Sequence, residues 1–203
     1  MSNQKLSATP DQKAQDTECE VGTNAPSKER CDGLRLPVTV LLDNIRSMYN
    51  VGAFFRVADG VGLEKLCLCG ITAHPPKSAI TKTALGAEKT VAWEHDWDAV
   101  KMAERLRGGG YEIVAIETSL EAIDLFEWEP KFPVCVAFGN EVEGLHPQLL
   151  AMATTHVRIP MFGHKKSLNV ATAGGVVLYE LLRKYRALTN NSSELPHSCQ
   201  KKA

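Results

Sequence analysis

The stretch from Asp43 to Gly60, DNIRSMYNVGAFFRVADG, sets Asn50, Gly52 and Arg56 at an N-x-G-x-x-x-R spacing. An arginine keeps its charge at any physiological pH. Its planar fork of N–H donors suits phosphate and other oxyanions. An asparagine beside it can cap a helix or orient a polar neighbour. Two further segments carry polar residues in a similar setting. Val134 to Leu145, VCVAFGNEVEGL, offers Glu141 between Gly139 and Gly144. Val157 to Glu180, VRIPMFGHKKSLNVATAGGVVLYE, offers His164, Lys165, Lys166, Ser167 and Asn169.

The elements around these residues explain how they could be held. Val38 to Leu42 is an apolar run that reads as a buried strand, and a helix over about 51–60 follows it. Val51, Phe54, Phe55 and Ala58 fall at i, i+3, i+4 and i+7, so one helix face is buried. Arg56 then projects about 140° from that face, at about 100° per residue. Asn50 suits the N-cap of this helix. By itself Arg56 also fits an ordinary solvated helix arginine, and the two later segments weigh against that. Each of the three runs from strand into a polar or glycine-bearing turn, and open α/β sheets bind ligands at the carboxyl ends of their strands.

The rest of the chain reads as alternating strands and helices. Strands are expected at about 65–69, 112–116, 134–138 and 157–159. A Pro75–Pro76 loop follows the first of these. A helix over about 97–107 is capped by Asp96 and ended by Gly108–Gly110. A short helix is expected near 147–153. A last helix starts near Ser167 or Asn169 and runs to about Tyr185. This pattern predicts an α/β fold, a mainly parallel sheet with helices on both faces. Residues 1–35 and 188–203 are polar and aperiodic and read as flexible tails, leaving 36–187 as the domain.

At 203 residues with a net charge of −1, the chain is large enough for one core. A nucleic-acid partner would need a local basic surface. Candidates are Arg46, Arg56, Lys77, Lys82, Lys89 and the His164–Lys166 loop, each also consistent with ordinary solvated charge. No apolar run reaches about 18 residues, and no secretory leader is evident, so cytoplasmic residence is expected. The six cysteines form no C-x-x-C pair. Cys67, Cys69 and Cys135 lie in apolar runs as buried small hydrophobes, and no metal site is expected.

Together the three segments resemble the SpoU (TrmH-like) branch of the SPOUT methyltransferases. The first motif is Asn50 to Arg56. The second, G-x-E-x-x-G-[LM], is Gly139, Glu141, Gly144 and Leu145. The third, I-P-M-x-G-x-x-x-S-L-N-V, is Ile159 to Val170. Ala171 departs from the serine that relatives often carry there. The resemblance covers about 36–186. It implies a C-terminal trefoil knot and transfer of a methyl group from S-adenosylmethionine to a ribose 2′-hydroxyl of tRNA or rRNA. It implies a catalytic set of Arg56, Asn50, Glu141, Ser167 and Asn169. The implied cofactor pocket has Gly139, Ile159, Met161 and Leu168, with Thr118 as a further rim residue. Arg46, Lys82, Lys165 and Lys166 are candidate RNA contacts. Relatives are homodimers whose site takes the arginine from the other subunit. Two other readings stay open on the residues alone: a catalytically silent RNA-binding protein, and a SPOUT enzyme that methylates a base nitrogen.

Overall fold

The structure is a computed structural model that describes residues 20–22 and 35–190. Its eight strands are β1 (Glu20–Gly22), β2 (Leu36–Asp43), β3 (Leu63–Cys69), β4 (Trp93–Asp96), β5 (Glu112–Ile116), β6 (Ile123–Asp124), β7 (Val134–Phe138) and β8 (Thr155–Arg158). The helices are α1 (Met48–Val61), α2 (Ser78–Ala84), α3 (Ala99–Gly108), α4 (Pro147–Met152) and α5 (Val170–Asn190). The strands form one sheet in the order β1-β4-β3-β2-β7-β5-β8-β6. Every pairing is parallel except β1 with β4.

Strand alternation sends successive side chains to opposite faces. Val38, Val40 and Leu42 of β2 join Val134, Val136 and Phe138 of β7 under α1, α2 and α5. Leu41, Cys67, Cys135 and Ala137 face α3 and α4 instead. Because both faces are covered, the central strands β2 and β7 are almost wholly apolar, with Thr39 and Asp43 the polar residues of β2. Cys67, Cys69 and Cys135 are free and buried, as expected.

α1 buries Val51, Phe54, Phe55 and Ala58 completely, and Arg56 is exposed, as the periodicity predicts. The helix starts earlier than expected, at Met48. Its N-cap is Ser47, whose hydroxyl accepts the N–H of Asn50. Asn50 is therefore the third helical residue and not the cap. Likewise Asp98 caps α3, accepting from Val100 and Lys101, while Asp96 accepts from the N–H of Asp98. Gly174 lies where α5 crosses α1. A Cβ there would stand 2.3 Å from the Phe54 ring, so the glycine reflects packing within one chain.

Two tail expectations change. Glu20–Gly22 pairs with β4, and α5 continues past Leu188 to Asn190. The remainder of both tails lies outside the described residues. Among the described residues no helix is long and apolar enough to cross a membrane.

Candidate active site

β2 and β7 are adjacent, but their onward connections part. The chain leaves β2 for α1 on one face and leaves β7 for α4 on the other. That divergence makes a topological switch point at the carboxyl end of the sheet, the place where such folds bind ligands in a crevice. The first motif begins on one side of it and the second on the other.

Glu141 bridges the two. Its carboxylate accepts the Asn50 amide at 2.9 Å and the backbone N–H groups of Arg46 and Ser47 at 3.2 and 3.4 Å. The Asn50 carbonyl oxygen in turn accepts from the Asn169 amide at 3.2 Å. Asn169 also caps α5, its Oδ1 accepting from Ala171 and Thr172. One carboxamide thus ties all three motifs together. This is possible because Ser47, not Asn50, does the capping of α1.

Burial pushes the Glu141 carboxyl up. The bonds from its own backbone, from Asn50, and from the Arg46 and Ser47 N–H groups outweigh that and hold it below the ordinary value of 4.5. A depressed folded value gives stability that is present above the unfolded value and lost as pH falls through the folded one. Glu141→Gln is therefore expected to lower Tm at neutral pH. The gap to the parent closes as the pH drops well below 4.5, which paired thermal melts across pH would measure.

Two residues missed in the sequence support this centre. Asn140 is buried; its amide donates to Asn44 O at 2.8 Å, and its Oδ1 accepts from Val142 and Glu143. Asp43 is buried at the end of β2 and accepts the N–H of His146 at 2.9 Å. The signal for both was a polar residue at or just past the end of an apolar strand.

Gly139 sits in a tight turn. A Cβ there would lie 2.1 Å from the backbone of Gly144 and Leu145, so the close approach is by the chain itself. The Asn140–Gly144 bridge closes this turn with two backbone hydrogen bonds.

Gly139, Thr118 and Ile159 lie just past the ends of the neighbouring strands β7, β5 and β8. Ile159 is half-buried against the core, Met161 is half-buried, and Leu168 is more open. From Ile159 to Leu168 the backbone makes no hydrogen bond to another described residue. Apolar side chains and open backbone groups suit an adenosine held through its main-chain partners. Ser167, Lys165 and Lys166 are exposed on the same loop.

Arg56 stands apart from the cluster. It follows Asn50 by six residues, about 9 Å along the helix and on another side of it. It lines an open groove of about 710 Å³ with Lys82, Thr83, Asp59, Gly60 and Tyr179. Arg46, by contrast, shares an exposed ion pair with Glu143 at 3.4 Å. Among the described residues no group of three His, Cys, Asp or Glu could hold a metal ion.

The sequence model of the SpoU rRNA Methylase family matches residues 37–179. The chain belongs to this family. SpoU relatives include a tRNA (guanosine(18)-2′-O)-methyltransferase of Aquifex aeolicus, 32% identical over 71% of this chain and 68% of its own length. The enzyme of the same name from Escherichia coli (strain K12) is 32% identical over 72% of this chain. The chain spans 63% of that relative. The crystal structure of the A. aeolicus TrmH/SpoU tRNA modifying enzyme superposes with a TM-score of 0.71 at 27% identity, covering 79% of this chain and 81% of that one. An AdoMet-bound rRNA methyltransferase from Sinorhizobium meliloti superposes at 0.68 and 27%, covering 75% and 58%. The α/β fold with its largely parallel sheet is thus that of the SpoU structures.

Proposed function

We propose that this SpoU protein transfers the methyl group of S-adenosylmethionine to a ribose 2′-hydroxyl of tRNA or rRNA, with tRNA favoured. The observation that carries the reading is the Glu141–Asn50–Asn169 junction, which joins the three motifs at the carboxyl end of the sheet. The names of the A. aeolicus and E. coli relatives and the AdoMet-bound S. meliloti structure support it.

S-adenosylmethionine supplies a methyl group activated on a sulfonium. Thr118, Ile159, Met161 and Leu168, with the open backbone of the 159–168 loop, hold its adenosine. Gly139 serves by fixing the turn that carries Glu141. Asn50, Glu141 and Asn169 keep the loops in register, so most of the rate advantage comes from positioning. Ser167 lies on the loop beside them and contacts the cofactor or nucleotide. Arg56 keeps its proton. Its part is to bind an RNA phosphate and stabilise the alkoxide that forms on the ribose oxygen. The proton leaves to a phosphate oxygen or to water.

Arg46, Lys82, Lys165 and Lys166 take further phosphates. The Arg46–Glu143 pair is exposed and worth little, so Arg46 exchanges it readily. The distance of Arg56 from the Asn50 cluster supports a C2 homodimer in which it serves the partner's crevice. Residues 36–187, extended by α5 to Asn190, form the methyltransferase domain between two tails. The trefoil knot belongs to this proposal, with its loops around 139–146 and 159–169. The cytoplasm, where tRNA and rRNA reside, is the proposed place of action.

Purified protein given methyl-labelled S-adenosylmethionine and bulk tRNA or rRNA is expected to label the RNA without added metal. Failure to label either RNA, with the cofactor bound, would overturn the assignment.

A further inference from the structure

Phe162 is 98% exposed, although a phenylalanine usually contributes to a core. It lies on the loop after β8, at an unspecified position within the third motif. Other large apolar side chains are exposed on the three motif segments: Tyr49 and Met48 on α1, Val142 on the second motif and Leu168 on the third. The Asn50 junction brings these segments together, so exposed apolar side chains and a polar centre are carried by the same three segments.

Along its own loop the charges that neighbour Phe162 have one sign, and the acids of the junction, Glu141 and Glu143, belong to the second motif. No Asp or Glu occurs between Arg158 and Glu180, while His164, Lys165 and Lys166 follow Phe162 closely and are exposed. We infer that Phe162 stacks on a nucleobase of the RNA substrate, with Lys165 and Lys166 on the adjoining phosphates. An aromatic face interleaved with cations matches a single-stranded nucleotide, whose base stacks while its backbone meets the positive charge. Unpaired loop nucleotides present bases in this way. A protein surface seated on Phe162 would instead have to strip water from two lysines beside the ring, which disfavours a second copy of the chain as the occupant. The inference rests on the RNA methyl-transfer reading and names the residue that seats the RNA next to the reacting ribose.

The test is binding of end-labelled bulk tRNA and rRNA to the full chain. Phe162→Ala is expected to weaken binding about tenfold to a hundredfold, the worth of one stacked base. Phe162→Trp should stay within about twofold of the parent, because it keeps a ring face. Phe162→Leu should behave like the alanine variant, since it keeps apolar bulk without the face. S-adenosylmethionine affinity by calorimetry and the assembly state by light scattering should not change.

Unaltered RNA affinity in Phe162→Ala, or full rescue by leucine, would overturn the stacking contact. Loss of cofactor affinity would make Phe162 a pocket wall, and loss of assembly would make it a subunit contact. Either result also overturns the inference. If the parent transfers no methyl group while Phe162→Ala still loses RNA affinity, the methyl-transfer reading fails and the stacking contact stands.

Discussion

Arg56→Ala is expected to slow single-turnover methylation by about 10²–10³-fold, the usual loss when one preorganised donor to a developing oxyanion is removed. S-adenosylmethionine affinity should stay within about twofold, because the cofactor walls come from segments other than α1. Arg56→Lys should also be poor, since an ammonium lacks the planar fork. The defect should persist at saturating RNA. If Arg56 only tethered RNA, saturation would restore the rate. A parental rate in the alanine variant with excess enzyme would remove Arg56 from the chemistry and strengthen the silent RNA-binder reading.

Gly139→Ala is expected to destabilise the fold by more than about 3 kcal/mol, above the ordinary cost of overpacking. The added Cβ would meet the backbone of Gly144 and Leu145 at 2.1 Å, and backbone cannot rotate aside as a side chain can. Relief would require opening the Asn140–Gly144 turn, which displaces Glu141 and with it the link to Asn50. Urea denaturation gives the midpoint. A variant with the parental midpoint and full activity would show that the turn tolerates a wider separation.

Much of this was legible in the sequence, for identifiable reasons. The buried strands β2, β5 and β7 are continuous apolar runs between turns, and α1 shows its buried face by spacing alone. β4 escaped notice because it reads Trp93-Glu94-His95-Asp96. Its Glu94 is buried only because Lys65 of β3 and Arg105 of α3 pair with it, a tertiary fact no local pattern holds. α2 is seven residues long and makes only Ile80 and Ala84 fully buried, too few for a clear period.

At the site, the residue types and their order were readable, but their partners were not. Asn50 has the chemistry of a cap, and so does Ser47 three residues earlier. Only the fold shows that Ser47 caps and Asn50 bridges Glu141 to Asn169. Gly139 was readable as a place of close approach, but not that Gly144 and Leu145 make the approach. Phe162 gave no signal in the sequence, and its meaning comes from its exposure on the loop.

The central claim is transfer to the ribose oxygen of RNA. It is tested most directly by nuclease digestion and mass spectrometry of tRNA and rRNA from cells with and without the gene, repeated on RNA treated with the purified protein. The account predicts one nucleoside whose added methyl stays with the ribose when the base is cleaved off. This methyl should be missing in the deletion strain and restored in vitro by the parent but not by Arg56→Ala. A methyl that leaves with the base would contradict the account and favour base-nitrogen methylation. Identical RNA from both strains, with no methylation in vitro, would contradict it in favour of a silent binder.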